Sequence, residues 1–242
     1  MITVLIEDKN KYYGMISIFF IFWRWKMKYS NHAQYINEKC IEVPSVTTIL
    51  KLLNKPSLCK WANYLGFKRE NVDKVLEDSA NKGTEVHFML NAVLFRKQYL
   101  YIKQDGVSDD YLYTVLGNFF EWLSGHKLRP YFGETPVTCE KFGGTVDLYC
   151  ELDGKATILD FKTSKNFYSS MFLQLAAYTY MLELKDFEVE QVCILLVNDK
   201  MCKHRIIRRE ELDLYIDTFL QLSDLFYNVY ELNKDWGDLL KK

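Results

Sequence analysis

Apolar residues recur at helical spacing in some stretches of the chain and at alternate positions in others, and the switch between the two periods divides it into elements. Ser45 predicts a cap for a short helix through Leu53, and Pro56 opens a second helix to about Leu65. Asn71 to Leu100 reads as mostly helical with a tolerated Gly83. Tyr111 to Ser124 repeats the helical period. Strands begin near Phe132, and helical spacing returns over Met171 to Leu184. Gln191 to Val197 and Cys202 to Arg208 form a hairpin joined around Asn198-Asp199. From Glu210 to Trp236, residues Leu212, Tyr215, Ile216, Phe219, Leu222, Phe226, Val229 and Tyr230 make the stripe of a long closing helix. The order predicts an α/β fold with a central mixed sheet, a helical N-terminal part and a long C-terminal helix.

Within the strand region, Thr145–Glu151 and Lys155–Lys162 flank Asp153-Gly154, a dipeptide suited to a two-residue hairpin turn. That turn sets the register. With Leu152 opposite Lys155, Asp147 falls across from Asp160 and Thr145 across from Lys162, all four on one face. The other face carries Val146, Leu148, Cys150, Leu159 and Phe161 and belongs against a core. Like charges directly across a strand pair are destabilising by about 0.2–1 kcal/mol, which a cation between them would reverse. Two carboxylates, the backbone carbonyl of Phe161 and room for water describe an oxygen-rich site for a hard divalent ion, Mg²⁺ or Mn²⁺. Lys162 brings a positive charge to the same place.

Gly-x-x-Asp147, the hairpin, Asp160-x-Lys162 and then Gln174-x-x-x-Tyr178 on a following helix resemble the PD-(D/E)xK nuclease superfamily, and within it the RecB-like exonucleases. Phage exonucleases and the mitochondrial genome maintenance exonuclease are similar as well. Upstream, Pro44-Ser-Val-Thr-Thr-Ile-Leu50 and Ala80-Asn-Lys-Gly-Thr-Glu-Val-His87 match an opening segment and a helical histidine motif of that branch, so the likeness spans roughly residues 43 to 208. The resemblance implies a restriction-endonuclease-like core and metal-dependent hydrolysis of DNA phosphodiester bonds. It favours an exonuclease of recombination, repair, replication or degradation. A structure-specific endonuclease, or a nucleic-acid-binding module with a vestigial site, is the alternative. By position, it implies Asp147, Asp160 and His87 as metal ligands, Glu134 as a supporting acid, and Lys162 to orient or deprotonate the attacking water. Gln174 and Tyr178, one helical turn apart, would line the site. The proline of the family name is absent, Val146 standing before Asp147.

Composition narrows the picture. With 242 residues and 49% hydrophobic content, the chain can bury one ample core, predicting a single nuclease domain over 41–242 with 1–40 as an extension. The net charge of −1 does not advertise a polyanion binder, so DNA contacts must be local. Candidates are Lys51, Lys55, Lys60, Lys68 and Arg69 in the helical part, and Lys200, Lys203, His204, Arg205, Arg208 and Arg209 near the end of the sheet. Besides DNA, other replication or recombination proteins are conceivable partners. The six cysteines include no C-x-x-C pair, and several lie in apolar strand patterns that suit buried free thiols of a reducing, cytoplasmic setting. Some RecB-like relatives hold an iron–sulfur cluster with three late cysteines; only Cys193 and Cys202 follow Tyr178, so no cluster is expected. The apolar run Met15 to Trp23 is too short to span a bilayer and has no small-residue cleavage site, so neither a membrane anchor nor a secretion signal is expected. Met27 offers an alternative start.

Overall fold

The computed structural model describes residues 35–53, 56–96 and 106–234. The apolar run Met15 to Trp23, Lys55, the helix end expected at Leu100 and the last residues to Trp236 lie outside the described residues.

Five strands form one mixed sheet in the order β3-β4-β5-β6-β7: Leu128–Thr138, Gly143–Leu152, Lys155–Lys162, Gln191–Val197 and Cys202–Arg208. All neighbours are antiparallel except β5 and β6, which run parallel. A parallel pair needs a crossover, and helix α5 (Ser169–Glu183) supplies it. The other helices are α1 (Val46–Ile49, continued by a 3₁₀ turn to Leu52), α2 (Pro56–Phe67), α3 (Val72–Leu94), α4 (Asp109–Ser124) and α6 (Asp213–Lys234). Ser45 caps α1 by accepting from the Thr48 amide at 3.0 Å. Asn71 caps α3 through the Lys74 amide, and Ser108 caps α4 through that of Tyr111.

The sheet separates two cores. On one face Leu148, Cys150, Leu152, Leu159, Phe161, Cys193, Leu195 and Val197 pack against Val86 and Leu90 of α3 and Phe119 of α4. On the other, Val146, Tyr149, Ile158, Ile194 and Leu196 meet Leu175 and Ala176 of α5, Phe219 of α6 and Ile49 of α1. The hairpin turn is as the dipeptide predicts: Asp153 and Gly154 both have positive φ, 53° and 83°, and Leu152 pairs with Lys155.

Three features depart from expectation. Strand β3 begins at Leu128 rather than near Phe132. Pro130 and Pro136 argue against a strand, yet β3 is the edge of the sheet, where a missing N–H is tolerated, and the register shifts between Pro130 and Phe132. A small antiparallel pair, β1 (Tyr35–Ile36) and β2 (Glu42–Val43), has no clear signature in the sequence. Tyr35 lies directly over Gly143, where an added Cβ would come within 2.6 Å of the tyrosine Cβ, so residues grouped with the extension pack on the sheet. Finally, Val146 lies in the opposite core from Leu148, Cys150, Leu159 and Phe161. Strict alternation therefore fails between Val146 and Leu148, at Asp147.

Candidate active site

Three acids on adjacent strands fall on one rung. Gly133 pairs with Leu148 and Thr135 with Val146, which sets Glu134 opposite Asp147. On the other side Leu148 pairs with Leu159 and the ladder ends there, one step short of Asp147 and Asp160. The expected register is present, but the acid rung, and the Thr145–Lys162 rung beyond it, are not closed by ladder pairing. Glu134 has φ 49°, a left-handed backbone uncommon and strained for a residue with a side chain. One Asp147 carboxylate oxygen, Oδ2, accepts from the backbone amide of Phe161 at 3.0 Å, so a side chain stands where a strand carbonyl would. The strands part where the acids sit, and the alternation of β4 slips at the same residue.

Helix α3 brings His87 to this opening. Its Nδ1 lies 3.3 Å from Asp147 Oδ2 and 4.0 Å from Glu134 Oε1. Its ring meets Phe161 edge-on, with centroids 5.9 Å apart. Lys162 Nζ is 2.6 Å from Asp160 Oδ2. Apart from that ion pair, neither buried carboxylate oxygen of Asp160 has a hydrogen-bond partner among the described residues. From α5, Gln174 Nε2 donates to Tyr178 Oη at 2.9 Å. The Tyr178 ring fits only because residue 144 is glycine: a Cβ there would fall 2.4 Å from Tyr178 Cε1.

The charges are interdependent. Burial works against a charged His87, but the Asp147 carboxylate outweighs it and holds the imidazole up at about 9. Burial likewise opposes Asp147, yet His87 and Lys162 keep its carboxyl below the ordinary value. Asp160 goes the other way: burial first, then the neighbouring Asp147, outweigh Lys162 and push it up to about 6. Lys162 is raised despite burial, because it faces both aspartates. Tyr178 is raised well above its usual value by burial and by the same two acids. A buried carboxylate pair, one member of which is pushed toward its neutral form, is what a divalent cation relieves.

The donor set suits such a cation. One ligand atom each from His87, Glu134 and Asp147 lie within 4.8 Å of one another. Asp160 stands outside that set, turned to Lys162, but its two buried oxygens have unused acceptor capacity. Imidazole with carboxylates fits Mn²⁺, and the carboxylate-rich part fits Mg²⁺. Phe161 meets the arrangement through its backbone amide.

All the residues expected at the site are thus gathered at one end of the sheet. Sequence reasoning missed Tyr35. Its hydroxyl is 3.0 Å from Thr145 Oγ1, and Glu134 and Asp147 act on it electrostatically alongside burial, which raises its pKa. A lone tyrosine in a two-residue strand carries no signal that could have found it.

No protein-family model matches the chain, and no curated protein matches it in sequence. Among the described residues, no helix is long and apolar enough to cross a membrane.

Proposed function

We propose that the protein is a metal-dependent DNA nuclease that hydrolyses phosphodiester bonds, acting as an exonuclease in DNA recombination, repair, replication or degradation. The observation that carries this reading is the open rung: Glu134, Asp147 and Asp160 aligned on three strands, with His87 at 3.3 Å on one side and Lys162 at 2.6 Å on the other. A structural role explains this poorly, because like charges on adjacent strands weaken the sheet.

His87, Glu134, Asp147 and Asp160, with the carbonyl of Phe161, would hold Mg²⁺ or Mn²⁺. A bound ion supplies charge neutralisation on the phosphoryl oxygens and a water acidic enough to attack near neutral pH. The chain's own groups do the rest. Lys162, anchored by Asp160, offers a fixed cation to the phosphate as its charge grows. Tyr178, which accepts from Gln174, keeps its own O–H free to donate toward substrate. Thr145 and Tyr35 extend that polar wall on the β4 side. Phe161 and the core beneath it keep bulk water from the buried acids, which strengthens each of these interactions.

End-labelled linear DNA and covalently closed circular DNA, each incubated with Mg²⁺, Mn²⁺ or EDTA, test the reading. Metal-dependent loss of linear DNA with the circle intact is the expected result; cleavage of the circle would make the enzyme an endonuclease. Wild-type rates in Asp160→Asn and Lys162→Ala proteins would remove the site from the reaction.

A further inference from the structure

Cationic residues near the end of the sheet divide by position. Asp160 pairs with Ile194, and Ile194 with Arg205; Lys162 pairs with Leu196, and Leu196 with Lys203. Directly paired residues share a face, so Arg205 and Lys203 emerge on the face of Asp160 and Lys162, two strands or about 10 Å away. The guanidinium of Arg205 lies over the ring of Phe172 on α5, confirming the side. His204 takes the opposite face, where its Nδ1 accepts from Trp122 Nε1. Arg209 is held by Glu183 and Asp213, and Arg208 faces Glu210 at the other end of β7.

Two loops at the carboxyl ends of the parallel strands fill the space between Lys162 and Lys203. The loop after β5 contains Thr163, Ser164 and Lys165, and the β6–β7 turn contains Asn198, Asp199 and Lys200. They are stitched together, since Asn198 Nδ2 donates to the Ser164 carbonyl at 3.2 Å while Asn198 Oδ1 accepts from the amides of Lys200 and Met201. Helix α3 closes against them: a Cβ on Gly83 would sit 3.8 Å from Thr163 Oγ1. Lys165, Lys200 and Lys203 are exposed and form no ion pair among the described residues. Other lysines of the sheet side do pair, Lys39 with Glu140, Lys141 with Asp224 and Lys185 with Glu38. Asp199 is the only acid in these two loops.

The helical part offers less. Lys68 lies over the ring of Tyr64, and the start of α3 beside it carries Asp73, Glu77 and Asp78.

We infer that Lys165, Lys200, Lys203 and Arg205 form a phosphate track, along which the sugar-phosphate backbone of the DNA strand runs from the metal centre over the carboxyl ends of β5 and β6 to the β7 edge. The inference rests on the nuclease reading for its ligand, and it adds the path. Open α/β sheets place ligands at the carboxyl ends of their parallel strands for the same topological reason. The track is a local excess of positive charge in a chain of net charge −1, which is how such a protein can hold a polyanion.

The test is the salt dependence of DNA binding by the full chain without metal, read as fluorescence anisotropy of a labelled oligonucleotide. Lys165→Ala/Lys200→Ala/Lys203→Ala should flatten the slope of log affinity against log salt by about 2 to 3, since each phosphate contact contributes about 0.7 to 0.9. KM for cleavage should rise by about tenfold or more at moderate salt. Lys60→Ala/Lys68→Ala/Arg69→Ala should leave the slope unchanged. An unchanged slope in the first variant, with its circular dichroism and melting intact, overturns the track. So does an equal loss in the second variant. If the slope responds as expected but no metal supports cleavage by the wild type, the track stands and the hydrolytic reading fails. Cleavage with an unresponsive slope gives the reverse.

Discussion

Asp147 and Asp160 stand on neighbouring strands in the register that would pair them, but the ladder stops one rung before, at Leu148 and Leu159, and the Asp147 carboxylate takes the amide of Phe161. On the proposed reading, a cation held at this opening should act on stability as well as on chemistry. A ligand that binds only the folded state stabilises it by about 2.7 kcal/mol at a hundred times its Kd. Thermal unfolding should therefore shift upward with Mg²⁺ or Mn²⁺ relative to EDTA. The shift should vanish in Asp147→Asn and shrink in His87→Ala. Identical melting of wild type with and without either ion would count against the metal centre.

Gly144 of β4 and Tyr178 of α5 pack directly against each other. Gly144→Ala places its Cβ 2.4 Å from the tyrosine ring, and overpacking of that kind costs about 1–3 kcal/mol. Urea denaturation should show this loss. In a Tyr178→Ala background the same change should cost little, because the obstructing ring is gone. Equal costs in both backgrounds would place the strain elsewhere.

At Gly154 the constraint is conformational alone. Its φ is 83°, and nothing lies within 4 Å of an added Cβ. Gly154→Ala should destabilise by about 1 kcal/mol or somewhat more, and Gly154→Asn by clearly less, since asparagine tolerates the left-handed region. Equal destabilisation by both, measured by denaturant titration, would contradict this.

A histidine cluster on the α4 side of the sheet predicts acid sensitivity. His204 accepts from Trp122 and meets the ring of His126 at 4.9 Å, while His126 bonds Asp153 at 2.8 Å. Burial and the neighbouring His126 hold His204 below its ordinary pKa, against Asp153. For Asp153, burial works upward, but His126 and the Lys127 amide keep the carboxyl low. Both groups bind protons more readily unfolded than folded, so their contributions to stability are lost as pH falls. Loss should begin below about 6.5 as His204 charges, and continue below about 4 as Asp153 protonates. Melting temperature followed from pH 8 downward should show the upper step in wild type but not in His204→Gln. Superimposable wild-type and His204→Gln curves through that range would refute the assignment.

The hairpin was legible in the sequence because its determinants are local. Asp153-Gly154 can adopt the two left-handed conformations a tight turn needs, and the two-residue period then carries the register to Asp147 and Asp160 without reference to the rest of the fold. The helix cap at Ser45 was readable for the same reason: it bonds an amide three residues on. Strand β3 was mis-bounded because Pro130 and Pro136 disqualify a central strand but not an edge, and edge position is not a local property.

Only tertiary structure decided the rest. The alternation of β4 broke at Asp147 because that carboxylate bonds the amide of Phe161, 14 residues away, which sends Val146 and Leu148 into different cores. Residue order alone could align Asp147 with Asp160, but it could not show His87 of α3 reaching their opening or Glu134 completing the rung. Nor could it show Tyr35 leaning over Gly143, or Lys203 and Arg205 sharing the site's face. Those placements depend on packing α3 against one side of a twisted sheet and α5 against the other. Hydrophobic burial sets that packing, and its partners lie far apart in the chain.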